Sequence, residues 1–349
     1  MEYNNIEYTR SHKFAKNVII VDGQAGCGKT LFSSIISSLN RVELLTYAFD
    51  VEFICKLAEK NKISKDASES LIQLLIDNKL YQLMMGRETN FRYSDLSSVF
   101  NNPFPIRYFK RLFQKGDEYV NDKVNQSNPI MNFATHDLIT YSLPLVNTLK
   151  ESLTFFEVVR HPLYTIIQQA LNMQRLLNNP RDIQLQIKYK DKSLPYFTEG
   201  WEDLFIKSND YEKSIHMINF FTEKRKKFNI DHFNINKSKY LEICFERFVR
   251  KPDLYLEKII NLSNTKYTNK TKKYLKKNKI PRDKFSDGIP LNVYKRSGWK
   301  PPKKYLSEKD ELYERRKIVE NNHISEFGLD ILDKLCKEYE QKYKIEELF

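Results

Sequence analysis

Cysteine is scarce in this sequence, and the cysteines that occur are not arranged in pairs. The 349 residues include four, Cys27, Cys55, Cys244 and Cys336, with no C-x-x-C motif. Disulfide frameworks and zinc sites usually show clustered or regularly spaced cysteines, so this pattern suggests neither. Isolated thiols fit a reducing compartment, and we therefore expect a cytoplasmic protein.

Long apolar segments are missing as well. No apolar run approaches the roughly 18–20 residues that a helix needs to cross a bilayer. Residues 1–13 are polar and lack the apolar core of a signal peptide. We therefore expect an intracellular chain without a transmembrane segment, while peripheral association with a membrane stays open.

Acidic residues are too few to balance the basic ones. The chain has 58 Lys and Arg against 45 Asp and Glu, a formal net charge of +13. Such an excess favours anionic partners such as nucleotides or phosphorylated and sulfated substrates, although a compositional bias towards lysine explains it equally well. The lysine-rich runs at 223–227 and 270–279 have no recognition module around them, so no specific nucleic-acid binding is expected.

Strand patterns and helix patterns alternate along the chain. Apolar stretches that predict strands lie at 17–22, 42–49, 129–134, 153–159 and 239–248. Helical spacing of apolar residues occurs at 29–39, 51–85, 163–178, 211–228 and 253–262. This alternation predicts an α/β fold of the P-loop type, three layers (α/β/α) with a central, mainly parallel sheet.

The apolar content, 41%, allows one large core or two smaller ones. We predict a single domain over residues 1–349. Helical or irregular insertions at about 50–128 and 180–235 are expected to shape an acceptor site, and residues from about 305 to 349 are expected to form a charged C-terminal helix. The lysine-rich residues 264–288 are expected to be a mobile surface segment.

A glycine-rich loop, residues 23–30, follows the first predicted strand. Its sequence G-Q-A-G-C-G-K-T fits the pattern G-x-x-x-x-G-K-[ST], and a predicted helix begins within it. Inward-turned backbone N–H groups and the helix N-terminus favour a phosphate there. Lys29 can neutralise a terminal phosphate, and Thr30 can ligate Mg²⁺. The residues assigned to phosphate binding are Gly23, Gly26, Cys27, Gly28, Lys29 and Thr30.

No clear second ligand for Mg²⁺ accompanies this loop. Asp50 and Asp137 each follow an apolar stretch, but neither matches the strand-end acid that usually supports ATP hydrolysis. We therefore predict no metal site, and the sequence leaves room for a nucleotide chemistry that does not depend on Mg²⁺.

Four further segments carry polar residues at predicted strand ends or turns. They are A-T-H-D-L at 134–138, F-F-E-V-V-R-H-P-L-Y-T-I-I-Q-Q at 155–169, C-F-E-R-F-V-R-K-P at 244–252 and K-R-S-G-W-K at 295–300. With the glycine-rich loop they resemble, in the same order, motifs of the sulfotransferases that use 3′-phosphoadenosine 5′-phosphosulfate (PAPS). The resemblance extends from about residue 17 to 305 and indicates a divergent member with an intact Walker A-type loop.

The departures from the family pattern concern its most characteristic positions. The family's loop lysine falls on Gly26, and its Lys-Thr-His lysine falls on Ala134. His161 stands where the family has Asp, and Gln168 where it has Ser. Under this resemblance Lys29 reaches the sulfuryl group from a new position.

The resemblance implies a role for each of these segments. His136 would act as general base on an acceptor hydroxyl, and Lys29 would stabilise the departing phosphate. Arg160 would pair with the donor's 3′-phosphate. The remaining residues implied in donor binding are Gln168, Arg296, Ser297 and Gly298. The acceptor stays unidentified (a carbohydrate, a lipid head group or a small metabolite), and Tyr196, Phe197 and Trp201 are candidates for its wall or for the core.

A second hypothesis keeps the same loop and changes the chemistry. In an ATP- and Mg²⁺-dependent kinase or NTPase, Lys29 and Thr30 hold the nucleotide, Asp50 or Asp137 supplies a metal ligand or base, and Arg160 stabilises the transition state. This hypothesis leaves the segment at 295–300 unexplained. The plainer alternatives are a structural His136, an Arg160 that forms a salt bridge, and a surface turn at 295–300. The oligomeric state is not indicated.

Overall fold

A computed structural model describes residues 6–176, 179–180, 183–288, 292–296 and 298–349. The strands are β1 Val18–Asp22, β2 Val42–Tyr47, β3 Ile130–Ala134, β4 Leu153–Val159, β5 Gln186–Tyr189, β6 Lys192–Pro195 and β7 Lys239–Cys244. The helices are α1 Lys29–Ile36, α2 Phe49–Glu59, α3 Lys65–Met84, α4 Pro105–Arg111, α5 Asp117–Ser127, α6 Leu143–Leu149, α7 Pro162–Met173, α8 Glu202–Lys207, α9 Asp210–Lys227, α10 Asp231–Ile235, α11 Phe245–Arg250, α12 Pro252–Leu262, α13 Asn269–Lys277, α14 Asn292–Arg296, α15 Glu308–Glu320 and α16 Glu326–Tyr343.

A parallel five-stranded sheet in the order β2-β3-β1-β4-β7 forms the centre of the molecule. Successive residues of β1 enter opposite apolar layers, since side chains alternate across a strand. Ile20 packs with Ile76 of α3, whereas Ile19 packs with Phe32 of α1. Every residue of β1 is buried, as expected for a parallel sheet covered on both faces. The predicted three-layer α/β/α class is confirmed.

The strand order brings the predicted site segments to one edge of this sheet. The chain passes from β3 on one side of β1 to β4 on the other side. Because all five strands are parallel, the loops that follow β1, β3 and β4 leave the sheet at the same edge. In open α/β sheets, ligands bind at the carboxyl ends of the strands where the order reverses.

The two insertion segments contribute the surroundings of that edge. Residues 50–128 contain most of α2 and all of α3, α4 and α5. Residues 183–235 contain helices α8, α9 and α10 and, in addition, the antiparallel hairpin of β5 and β6. Helix α9 packs along α7, which starts just beyond the end of β4.

Two stretches differ from the sequence-based expectation. Residues 264–288, expected to be a mobile surface segment, contain α13 and bury Leu275, Ile280 and Phe285. A capping box of Thr268 and Thr271 starts α13. The lysines of this helix lie on its exposed side, and in the sequence they separate the few apolar residues that are buried. The segment 239–248, predicted as a strand that leads into a short turn, is a strand as far as Cys244. Helix α11 takes the place of the turn, because Phe245 and Phe248 pack at helical spacing against α1.

The C-terminal residues form two charged helices, α15 and α16, that both pack against α7. This arrangement brings part of the C-terminal segment close to the strand ends. Among the described residues, no helix is both long enough and apolar enough to cross a bilayer.

Candidate functional site

A cavity of about 620 Å³ opens at the carboxyl edge of the sheet. Most of the residues that the sequence analysis selected lie in its wall, although they come from four separate segments of the chain. Those in the wall are Gly26, Gly28, Lys29, Thr30, His136, Arg160, Gln168 and Gly298.

The glycine-rich loop has a conformation that requires its glycines. Gly28 has a φ of 96°, and a Cβ built on it would lie 2.3 Å from the ring of Phe245. Gly23 has a φ of 146°, and its Cβ would lie 2.3 Å from the carbonyl oxygen of Val158. Only a residue without a side chain allows this close approach of the loop to β4 and α11.

Lys29 folds back over the loop at the start of α1. Its Nζ donates hydrogen bonds to the carbonyl oxygens of Gly23, at 2.8 Å, and Gln24, at 3.2 Å, and the residue is 4% exposed. The ammonium group therefore lies at the mouth of the loop, beside the N-terminus of α1. Gly23 and Cys27 shape the loop without lining the cavity, and burial raises the pKa of the Cys27 thiol to about 11.

His136 lies directly beyond the end of β3 and is held by α2. Its backbone N–H donates to Oε1 of Glu52 at 3.0 Å, and its Nδ1 lies 3.1 Å from the same oxygen. The ring stacks on Phe49 with centroids 5.4 Å apart. Burial, together with the charge of Lys29, lowers the pKa of His136 below its ordinary value.

Glu52 is the main residue of this site that the sequence analysis missed. It is 2% exposed, and burial alone would raise its pKa, but the contact with His136 and the charge of Lys56 hold the pKa below its ordinary value. The Nζ of Lys56 lies 3.3 Å from Oε2 of Glu52. A carboxylate beside a neutral imidazole accepts a hydrogen bond from Nδ1–H, which leaves the lone pair on Nε2 of His136 free to accept a proton.

The turn after β3 is fixed by Asp22. The Asp22 carboxylate accepts hydrogen bonds from the Thr135 hydroxyl at 2.8 Å and from the backbone N–H groups of Leu138, at 3.0 Å, and Ile139, at 2.8 Å. Asp137, in the middle of this turn, has a φ of 52° and lines the cavity. Burial, opposed by the charge of Lys29, raises the pKa of Asp137 to about 7.

Asp50 has a different position from Asp137. Its carboxylate forms an ion pair with Lys79, with Oδ2 3.0 Å from Nζ, and the residue does not line the cavity. Among the described residues, no group of three His, Cys, Asp or Glu is placed to hold a metal ion.

Arg160 follows β4 and lies between two aromatic rings. Its guanidinium carbon is 4.4 Å from the ring centroid of Phe245 and 5.1 Å from that of Tyr164. One Nη donates to the carbonyl oxygen of Gly26 at 3.0 Å. The nearest carboxylate, that of Glu246, is 4.0 Å from Nε and accepts hydrogen bonds from the His161 N–H and the Tyr339 hydroxyl instead. Arg160 is therefore only weakly neutralised.

A second arginine, Arg315 of α15, lies beside the first. Its guanidinium carbon is 4.5 Å from the Tyr164 ring centroid, and its Nε and Nη2 donate to Glu311. Burial and the charge of Arg315 act against protonation of Arg160 and lower its pKa. Arg282, in the segment expected to be mobile, also lines the cavity. The sequence analysis selected neither arginine, because both lie in stretches that are rich in charged residues.

The residues of the segment 295–300 differ in whether they line the cavity. Gly298 lines the cavity, and a Cβ on it would lie 2.7 Å from Cγ2 of Ile167. The indole of Trp299 also lines the cavity and donates to the carbonyl oxygen of Ser286 at 2.8 Å. Arg296 is exposed and does not line it. Ser297 lies outside the described residues.

The remaining wall, on the His136 side, is mainly apolar and aromatic. Tyr47, Phe49, Phe53, Tyr196 and Phe197 belong to it. Lys56 is its basic residue, with Nζ 4.6 Å above the Tyr196 ring. Trp201, the third aromatic candidate, stacks behind Phe197 and does not line this cavity.

Comparisons with known proteins give little at the level of sequence. No protein-family model and no curated protein matches the chain. Among solved structures, a sulfotransferase domain from the Synechococcus PCC 7002 olefin synthase aligns over 92% of this chain and 99% of its own, with 10% identity and a TM-score of 0.38. A sulfotransferase domain from the curacin biosynthetic pathway aligns over 86% of this chain and 97% of its own, also with 10% identity and a TM-score of 0.38.

Proposed function

We propose that this protein transfers a sulfuryl group from PAPS to a hydroxyl group of an acceptor. The observation that carries the proposal is the meeting of Lys29, His136 and Arg160 in one cavity. They follow three different strands, and they provide a cation at a phosphate loop, a base, and a second anion-binding group. A kinase would also use Lys29 and Arg160, but it gives no role to Arg315 or to the Gly298–Trp299 segment of the same cavity.

His136 is the proposed general base. Its Nδ1 faces Glu52, so Nε2 is the atom that takes the proton from the acceptor hydroxyl. A lowered pKa keeps the ring unprotonated, and therefore able to act as a base, at neutral pH. Glu52 is the proposed positioning residue, because its carboxylate sets the tautomer and the ring orientation of His136.

Lys29 and the glycine-rich loop are the proposed site of the donor's 5′-phosphosulfate. The donor supplies an activated sulfuryl group on a phosphate that carries additional charge after transfer. Lys29 and the N–H groups at the start of α1 stabilise that charge. The ammonium group needs to exchange one carbonyl partner in the loop for a phosphate oxygen, which a flexible lysine side chain permits.

Arg160 and Arg315 are the proposed site of the 3′-phosphate. Two guanidinium groups packed around one Tyr164 ring repel each other, and a doubly charged phosphate between them would offset that repulsion. Gln168 and the Gly298–Trp299 backbone border the same part of the cavity. This arrangement assigns to Arg315 the role that the sequence resemblance implied for Arg296.

The acceptor would occupy the aromatic wall beside His136. Stacking on Phe49 and Tyr47 suits a flat or ring-shaped acceptor, such as a sugar or an aromatic alcohol. Lys56 would favour an acceptor with an acidic group close to its hydroxyl.

The alternative, an ATP- and Mg²⁺-dependent kinase or NTPase, is favoured by one observation. Asp137 lines the cavity together with Thr30, and its carboxyl group titrates near neutral pH. With ATP bound, Thr30 and Asp137 would hold Mg²⁺, which would neutralise charge on the phosphates. Asp50, paired with Lys79, would have no part in it.

A thermal-shift titration separates the two functions. Purified protein is titrated with adenosine 3′,5′-bisphosphate and with ATP, each with and without Mg²⁺, because a ligand that binds only the folded state raises the melting temperature. We expect stabilisation by the bisphosphate without metal, and its loss in Arg160→Ala. Stabilisation by ATP only with Mg²⁺, lost in Thr30→Ala, would replace the proposal with the kinase.

A further inference from the structure

A second cavity, of about 460 Å³, lies away from the strand ends, between α8, α9 and α16. Its wall is almost entirely apolar and consists largely of Trp201, Leu204, Phe220, Phe327 and Ile331. Phe327 is 61% exposed, so a large aromatic ring stands at the entrance without cover. The proposed sulfuryl transfer makes no use of this cavity.

One polar side chain faces this apolar space without a partner. His216 is 6% exposed, and its Nε2 has no hydrogen-bond partner among the described residues. Oε1 of Glu212 is 4.0 Å away, beyond hydrogen-bond distance, and accepts the Ser325 hydroxyl. The ring lies 5.9 Å from those of both Trp201 and Phe327. A buried nitrogen of this kind destabilises the protein unless something in the cavity pairs with it.

The rim of the cavity has an excess of positive charge. Glu223 is already paired, with Lys226 at 2.7 Å and Lys334 at 3.4 Å. Lys224 lies over the Tyr141 ring and is half-buried. Lys227 is exposed and forms no ion pair with any described residue. An anionic group at the entrance would therefore meet a free cation.

We propose that this second cavity binds a small aromatic anion. The rings of Trp201, Phe220 and Phe327 would enclose its aromatic part, Nε2 of His216 would pair with a polar group at its inner end, and Lys227 would pair with its acid group. Burial lowers the pKa of His216, so the imidazole is neutral at pH 7 and can accept or donate a single hydrogen bond at Nε2.

The two cavities share a wall, so a ligand bound in the second cavity can change the shape of the first. Phe197 lines the first cavity and stacks on Trp201, with centroids 6.3 Å apart and an interplanar angle of 25°. The Trp201 indole donates to the Phe197 carbonyl oxygen at 2.7 Å. Met217 of the first cavity is adjacent to His216 in α9. A ligand that moves Trp201 would therefore displace Phe197 in the aromatic wall on the His136 side of the first cavity.

The test uses 6-hydroxy-2-naphthoate, whose hydroxyl and carboxylate lie at opposite ends of a two-ring body. Isothermal titration calorimetry on the full chain is expected to give one site per chain. His216→Phe keeps an aromatic ring and removes the nitrogen, and it should weaken binding about tenfold. Lys227→Ala should weaken binding about fivefold at low salt and less at high salt. Phe327→Ala, at an exposed position, provides a third variant if His216→Phe does not fold.

Two control variants localise the binding. Lys337→Ala removes an exposed lysine of α16 that lines neither cavity, and Phe49→Ala changes only the first cavity. Both should bind the naphthoate as the unmodified protein does. The proposal is overturned if the protein does not bind the compound, if the variants of the second cavity bind it unchanged, or if Phe49→Ala is the variant that weakens it.

Discussion

The groups that line the main cavity are held in two different ways. One set belongs to loops that directly follow β1, β3 and β4, and each loop is held by contacts within itself, to a neighbouring strand or to a neighbouring loop. The other set belongs to helices: Glu52 and Lys56 to α2, and Arg315 to α15. The position of a strand-end group follows from the order of the parallel strands, whereas that of a helix group depends on how the helix packs, so the second kind is more sensitive to changes in helix packing.

Among the groups on the strand-end loops, the largest effect is expected at Lys29. Lys29→Met keeps the length of the side chain and removes its charge, so under the proposed function the growing charge on the leaving phosphate would lose its principal cation. Removal of one such group reduces turnover by about 100- to 1,000-fold in comparable oxyanion sites. Sulfuryl transfer from PAPS, measured with any acceptor that the protein accepts, would show it.

Lys79→Met is the matched control for this change. Lys79 pairs with Asp50 outside the cavity, so its loss should leave turnover within a few-fold of the unmodified protein. Equal losses in both variants would mean that Lys29 acts through folding alone, and the loop would then lose its assigned role.

Among the strand-end loops, the glycine-rich loop should be the one that tolerates substitution least. Gly28→Ala forces a side chain into a left-handed conformation and into the Phe245 ring, 2.3 Å from the new Cβ. Backbone strain and overpacking together are expected to reduce the free energy of unfolding by about 2–4 kcal/mol. Urea denaturation measures this change.

Gly200 separates the two causes. It has a φ of 91°, but a Cβ on it would meet nothing within 4 Å. Gly200→Ala therefore carries the strain without the clash, and about 1 kcal/mol is expected. If both variants lose the same amount, the close packing of Gly28 on α11 contributes nothing to stability.

Among the groups on helices, Glu52→Gln tests whether α2 positions the proposed base, His136. The amide keeps the shape of the side chain and loses the charge that favours the protonated ring, so the pKa of His136 should fall further below its ordinary value. His136 is active as a base when unprotonated, so activity falls as the pH falls through its pKa. The acid limb of kcat/KM should therefore move to lower pH in Glu52→Gln.

At neutral pH the same variant should lose about 10- to 100-fold in kcat, because the imidazole is no longer held in one tautomer. A purely structural role for Glu52 would reduce the rate equally at every pH and leave the acid limb in place. Glu59→Gln, a change on the same helix outside the cavity wall, is the control and should leave the limb unmoved.

The difference between the strand-end groups and the helix groups also determines what could be predicted from the sequence. Lys29 was selected from the glycine-rich pattern that follows the first strand, and His136 and Arg160 because each stands just after an apolar strand; parallel strands bring such positions to one edge. Glu52 and Arg315 were missed because charged residues on amphipathic helices normally face solvent, and only the packing of α2 and α15 shows that Glu52 is buried and Arg315 is partly buried. Residues 264–288 were assigned to a mobile surface segment for the same reason, since their lysines conceal the buried Leu275 and Phe285.

The smallest effect is expected at the proposed 3′-phosphate site, for which the sequence resemblance and the proposed function name different arginines. Arg315→Ala should weaken binding of adenosine 3′,5′-bisphosphate about tenfold, the loss of one charged hydrogen-bonding group, and leave binding of adenosine 5′-monophosphate unchanged. Arg296→Ala, at an exposed position, should change neither affinity. The opposite result would return the role to the segment at 295–300. If the unmodified protein binds both nucleotides equally well, no arginine reads a 3′-phosphate, and the proposed sulfuryl donor would be wrong while the glycine-rich loop would remain a phosphate site.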